Sequence, residues 1–525
     1  MTNSLLKARQ SYQPQLPKCL KNLSQVVFET GAETTSLADS AEIQKLFPHL
    51  FGQPLVSVTK GEHPAFGPLR VGVVLSGGQA SGGHNVITGL FDALKQMDHD
   101  SELHGFLNGP SGIIDHKSTL LTAEKLDDYR NQGGFDLIGA GRTKIETPEQ
   151  LQKSMETIQA MELDGLVIIG GDDSNTNAAI LAEYFKAHGC EAKVVGVPKT
   201  IDGDLKNDQI EISFGFDTAT KTYSEALGNI ARDCLSAKKY THFVKLMGRS
   251  ASHIALECAL KVHPNVTLIS EEVQKKCMTL HQVTTYVTDI IQSRSEAGKD
   301  YGIVLVPEGL IEFIPEVKQL IAELNEQLAS GDTLNLSPAS KQAYSSLPEG
   351  IQKQLLLDRD PHGNVQVSHI NTESLVAEMV QSELKKREFK GKFSPVLHFF
   401  GYEGRAGLPT NFDATYTYAL GHVAALLINH GYSGYMAAVQ NLKAHSSEWV
   451  IKGVPITSML NMEVRKGKSK PVIKKALVDL DGALFQAFAA QRDAWALEDH
   501  YNYPGPIQFF GDPAITDTIP LSLDA

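Results

Sequence analysis

A chain of 525 residues is too long for one hydrophobic core of usual size, so two or more domains are expected. Its 42% hydrophobic and 21% charged residues are those of an ordinary globular protein, and no apolar run nears the roughly 18 residues of a membrane helix. A net charge of −13 disfavours a general binder of nucleic acid or of membrane surfaces, so an anionic substrate needs a local basic pocket.

In chain order, residues 1–67 read as an N-terminal extension. Its opening stretch has no continuous apolar core and no small-residue cleavage site, so a secretory signal is not expected. Cys19, Cys190, Cys234, Cys258 and Cys277 are scattered and form no CxxC, which speaks against a disulfide framework or a zinc site and suits a reducing cytoplasm. Next, "VGVVLSGGQASGGHNVITGL" (71–90) runs a β-branched strand into Ser76-Gly77-Gly78 and then a helix. It lacks GK[ST] and GxGxxG, and reads either as a phosphate loop or as an ordinary tight strand-to-helix turn. The run "FDLIGAG" follows, and then "DGLVII" leads into "GGDDSNTNAA" (170–179). Here Asp172 is placed to hold magnesium against phosphate, while Asp172, Asp173, Ser174 and Asn175 are all good helix caps. "VPKTIDGDL" (197–205) offers a carboxylate to accept a hydroxyl proton and a lysine to face phosphate; the same residues also make a polar turn.

Further on, "KKYTHFVKLMGRSASHIALE" (238–257), "VPEG" (306–309) and "GYEGRAG" (401–407) each set a charged residue just beyond a strand. Arg249 and Arg405 are able to fork onto one phosphate, and Glu308 or Glu403 to accept sugar hydroxyls; each alone also reads as a surface ion pair. Between 310 and 390 the strand–helix rhythm lapses into a mostly helical insertion. His84, His242, His253, His263 and His445 show no metal spacing and read as structural. Strands alternating with amphipathic stretches imply an α/β fold of mostly parallel sheets covered on both faces, with ligands at the strand ends.

In this order the motifs resemble the phosphofructokinase family over roughly residues 68–470, and "GGDD" with "PKTIDGD" is similar to its pyrophosphate-dependent branch, long group, catalytic type. The ATP-dependent members typically carry Gly where Asp173 and Lys199 stand. The resemblance implies two doubly wound, Rossmann-like domains: 68–237 for pyrophosphate and Mg2+, and 238–310 with 391–470 for fructose 6-phosphate. The helical insertion spans 311–390, and 471–525 matches no chemistry. It implies phosphoryl transfer from pyrophosphate to the 1-hydroxyl of fructose 6-phosphate, reversibly, in glycolysis or gluconeogenesis. An ATP-dependent enzyme or a non-catalytic regulatory subunit of the same fold is the alternative, although the latter is expected to lack Asp172 or Asp202.

By the same resemblance Asp202 is the general base, with Asp173 and Lys199 at the reaction centre. Gly77, Gly78 and Lys199 cradle pyrophosphate, and Asp172 binds the metal. Thr200, Ile201, Asp202, Met247, Gly248, Arg249, Glu308, Tyr402, Glu403, Gly404 and Arg405 line the sugar phosphate. Lys239 and Tyr240 match a pair that reaches a neighbouring subunit's site, so a homodimer or higher homo-oligomer is expected in the cytoplasm. Asp173 carries a further expectation, the exclusion of ATP. A carboxylate about 4 Å from an α-phosphate costs about 4 kcal/mol at an effective dielectric near 20, roughly a thousandfold in affinity.

Overall fold

The computed structural model of the protein describes residues 4–62, 66–330, 335–357, 365–465 and 468–524. β-branched runs such as "GLVIIG" and "KVVGVP" are buried almost throughout, the pattern of strands covered on both faces. They form the parallel centre of a nine-stranded sheet, in the spatial order Tyr435–Gln440, Lys193–Pro198, Gly165–Gly170, Arg70–Leu75, Glu102–Phe106. Antiparallel strands extend both edges: Ser118–Leu121 on one side, and Val450–Pro455, Pro54–Lys60 and Val26–Glu33 on the other. From Arg70–Leu75 the chain goes first to Glu102–Phe106 on one side and later to Gly165–Gly170 on the other. The crevice at that reversal is where open α/β sheets place ligands.

A second, four-stranded sheet is parallel throughout, in the order Pro395–Phe400, Thr241–Leu246, Gly302–Pro307, Val266–Thr267. The expected α/β architecture with two mostly parallel sheets is the one observed. One continuous core joins them, running from Val71 and Val73 through Tyr223 and Leu227 of helix Phe216–Ala237 to Val244 and Ile303. The helices Pro315–Ser330, Pro338–Ser346, Glu349–Leu357 and Thr372–Lys386 supply the insertion. They build a second core on Phe243, Val304 and Val306 of the small sheet. Residues 331–334 and 358–364 of the expected insertion lie outside the described residues.

The sheets divide the chain differently from the boundaries expected from sequence. After the small sheet, helix Asn411–Asn429 crosses back and is buried nearly all round. It packs on helix Gly83–Met97 so closely that a Cβ on Gly89 would run into the Tyr418 carbonyl, and one on Gly421 into that of Val86. The strands Tyr435–Gln440 and Val450–Pro455 that follow belong to the large sheet, not to the second domain. The N-terminal extension adds two strands to the same edge. "FDLIGAG" is not a strand; it meets Ser76 through a single bridge at Gly141.

Candidate active site

Three strands of the large sheet end at the crevice. After Leu75, Gly77 turns with φ of 88°, a conformation that glycine adopts without strain, and its N–H donates to the Gly141 carbonyl at 2.8 Å. A Cβ on Gly77 would lie 3.5 Å from Lys199 Nζ; one on Gly78 would lie 3.4 Å from a guanidinium nitrogen of Arg405 and 3.8 Å from one of Arg142. The turn is therefore faced by three cations, of which Arg142 and Arg405 line an open cleft with Gly77, Gly78, Gly134 and Gly141. This is the local basic pocket that an acidic chain needs for an anionic ligand. Lys199 follows the strand Lys193–Pro198 and is buried; desolvation brings its pKa down to about 8, against the opposing pull of Asp202 and Asp172.

The second strand end opens helix Asp172–Ala187. Its N-cap is Gly171, with no side-chain cap bond, so neither Asp172 nor Asp173 is a cap. Both sit in the first turn, where negative charge suits the helix dipole. Ser174 donates to Ser76 Oγ at 2.8 Å, and the Asn175 amide donates to the Gly170 and Val197 carbonyls, which ties the strand ends together. Asp172 has a buried carboxylate oxygen with no hydrogen bond, 3.7 Å from Lys475 Nζ, and burial raises its pKa. Asp173 is half-exposed and faces Lys144 Nζ at 3.2 Å.

Opposite lie the loops of the small sheet. Between the two sheets, on the loop after the large-sheet strand Lys193–Pro198, lies the partly buried Asp202, its N–H donating to Thr200 Oγ1 at 3.1 Å, beside the buried Ile201. Burial first, and then Glu308, push its carboxyl above the usual range, while Lys475, Arg249 and Lys199 pull it down. Glu308 accepts from the Gly248 N–H at 2.8 Å, and a Cβ on Gly309 would run into the Arg249 carbonyl, so the "MGR" and "PEG" loops lock together. The Met247 N–H donates to the Phe400 carbonyl at 2.9 Å, which joins "GYEGR" to the same edge. Tyr402 and Glu403 are exposed there, and Gly404 is buried against Tyr223.

Lys199 and Asp202 thus lie within electrostatic reach of each other and of Asp172, Arg249 and Glu308, while Gly77, Gly78 and Arg405 line the cleft. The two arginines expected on one phosphate keep different company: Arg405 lies against Gly78 and under Tyr402, whereas Arg249 lies among Glu308, Glu312 and Lys475. Lys239 and Tyr240 precede the strand Thr241–Leu246, whose far end carries Met247. About 20 Å of strand separates them from their own chain's site. The histidines have structural partners: His253 meets the Ala476 carbonyl, His263 stacks on Trp495, and His242 pairs with His398. Sequence reading missed Arg142, Lys144 and Lys475. The first two follow "FDLIGAG" with no motif of their own, and Lys475 lies in the tail that matched no chemistry.

A sequence profile described as Phosphofructokinase matches residues 70–428. The chain belongs to the phosphofructokinase family. Among its relatives, a protein of Porphyromonas gingivalis named pyrophosphate–fructose 6-phosphate 1-phosphotransferase is 52% identical over 99% of this chain and 98% of its own length. The beta 2 subunit of the Arabidopsis thaliana protein of that name is 53% identical over 97% of this chain and 92% of its own. The fold matches the crystal structure of a pyrophosphate-dependent phosphofructokinase from Marinobacter aquaeolei. That match has a TM-score of 0.56 and 16% identity, and covers 82% of this chain and 93% of that one. In this phosphofructokinase-family chain, no described helix is long and apolar enough to cross a membrane.

Proposed function

We propose that this chain is an enzyme that moves a phosphoryl group from pyrophosphate to the 1-hydroxyl of fructose 6-phosphate, giving fructose 1,6-bisphosphate and phosphate. The observation that carries the reading is Lys199. Its buried ammonium closes the space beside the Gly77 turn, in the loop that also bears Asp202. A small donor with charge at both ends suits a pocket with Lys199, Arg142 and Arg405 around one turn. The near full-length relatives named for this reaction support the same donor and acceptor.

In this reading Asp202 accepts the proton of the 1-hydroxyl as that oxygen bonds to the near phosphorus and the bond to the bridging oxygen breaks. The leaving phosphate stays under Lys199 and Arg142. Asp172, with its unbonded buried oxygen, fits a divalent cation, as is general in this family, and we assign it magnesium. When bound, the cation neutralises charge on the phosphate oxygens. Thr200, Met247, Gly248, Arg249, Glu308, Tyr402, Glu403 and Gly404 face the acceptor sugar. Lys239 and Tyr240 serve a neighbouring copy in a homodimer or higher homo-oligomer.

Phosphorus-31 NMR of the protein with fructose 6-phosphate, Mg2+ and pyrophosphate tests the reaction. We expect a new sugar phosphoester signal that grows with inorganic phosphate in equal amount, and the reverse when the products are supplied. Phosphate without a new ester, or no change at all, contradicts the reading.

A further inference from the structure

The hairpin Leu460–Arg465 and Lys468–Ile473 leads the chain back over the helix that begins at Asp172. Two backbone anchors fix the residues beyond it. The Ile473 N–H donates to Thr176 Oγ1 at 3.2 Å, and the Ala476 N–H donates to the Asp204 carbonyl at 2.7 Å. Between them Lys475 reaches toward the first turn of that helix, its side chain 27% exposed. Its ammonium donates to Ser250 Oγ at 2.8 Å and stands 3.5 Å from Asp204 Oδ2 and 3.7 Å from Asp172 Oδ2. A positive charge thus sits between the carboxylate read as the cation ligand and a second buried carboxylate. It is anchored to the small-sheet side by Ser250 and to the large-sheet side by its own backbone.

We propose that Lys475 is the resident counter-ion of the cation site, holding Asp172 in the absence of donor and making the site selective for the cation in company with pyrophosphate. The inference rests on the reading of Asp172 as a cation ligand. A divalent ion arriving alone must take Asp172 from Lys475 and adds two positive charges beside Lys475, Lys199, Arg142 and Arg249. Arriving with pyrophosphate, it brings negative charge that these cations and the displaced ammonium accept. Asp204 and Ser250 keep Lys475 in place when it releases Asp172. Lys475 is therefore a positioning and selectivity residue contributed by the C-terminal segment.

Mn2+ binding to the purified full chain, read by electron paramagnetic resonance, tests this without turnover. It is measured alone and with imidodiphosphate as a non-transferring donor. Wild type is expected to bind Mn2+ weakly alone and tightly with imidodiphosphate. Lys475→Met should tighten binding of Mn2+ alone by about tenfold or more and narrow the gap between the two conditions, whereas Lys475→Arg keeps the wild-type pattern. If Lys475→Met does not fold, Lys475→Gln, which removes the charge but keeps a polar side chain, should move binding of Mn2+ alone in the same direction. Unchanged or weaker binding of Mn2+ alone in the folded variant overturns the proposal. Asp172→Asn separates the two readings: if it leaves Mn2+ binding unchanged in both conditions, the cation role of Asp172 fails, and the proposal with it.

Discussion

Asp202 owes its proton affinity to its place: burial and the neighbouring Glu308 raise its pKa, and Lys475, Arg249 and Lys199 oppose them. A base must be ionised before it accepts a proton, so the acid limb of the kcat profile should lie above the ordinary carboxylate range. Asp202→Asn keeps the loop's shape but cannot take the proton, and kcat should fall by about 10² to 10⁴ with KM little changed. Near-normal turnover would remove Asp202 from the chemistry. Lys199 titrates in the opposite sense. With its pKa brought down to about 8 by desolvation, it is charged below that pH and loses its charge above it. Pyrophosphate KM should therefore rise as pH passes about 8 in the wild type, and this limb should be absent in Lys199→Met, which binds pyrophosphate weakly at every pH. Asp173 is not the lone carboxylate that its sequence position suggests. Lys144 at 3.2 Å makes it half of a dipole, so the repulsion of about 4 kcal/mol expected for a bare charge is an upper bound. Nothing in "GGDD" points to that partner, because the two residues meet only through the fold.

At the scale of elements, the strand ends were legible because β-branched runs stop abruptly at glycine, aspartate or arginine. "MGR", "PEG" and "YEGR" all lie where the small sheet's strands finish. Glycines here are spacing residues as much as turn residues. A methyl on Gly404 would enter the ring of Tyr223, which is buried and held by its hydroxyl on the Gly401 carbonyl at 2.6 Å. Gly404→Ala should cost about 1–3 kcal/mol in thermal or denaturant unfolding and raise fructose 6-phosphate KM, because the loop bearing Glu403 and Arg405 must shift. Unchanged stability and KM would mean that the loop is slack. The elements that sequence reading placed poorly are those whose partners lie far along the chain. Among the described residues, the edge strands near 30, 57 and 453 pair with one another and, through the last, with Tyr435–Gln440, and no local pattern assigns them to the large sheet. Lys475 was invisible for the same reason: only the return of the terminal hairpin brings it to Asp172.

For the whole molecule, the expectation of shared sites has a direct test. Lys239→Ala should lose fructose 6-phosphate affinity through the neighbouring copy's site, and Asp202→Asn should lose turnover in its own. Refolded together and assayed at fructose 6-phosphate too dilute for Lys239→Ala alone to turn over, the two chains should recover up to about a quarter of wild-type activity if one mixed site combines the intact Asp202 of one chain with the intact Lys239 of the other; no recovery would place Lys239 outside the site. Donor choice is read from kcat/KM for pyrophosphate and for ATP, measured side by side. Asp173→Gly removes a negative charge and also leaves Lys144 unpaired, so it should admit ATP; Asp173→Gly with Lys199→Gly should give the highest ratio of ATP to pyrophosphate use. The wild type is expected to use pyrophosphate and barely to use ATP; a wild type that uses ATP as well as pyrophosphate, or better, would overturn the assignment of pyrophosphate as the donor.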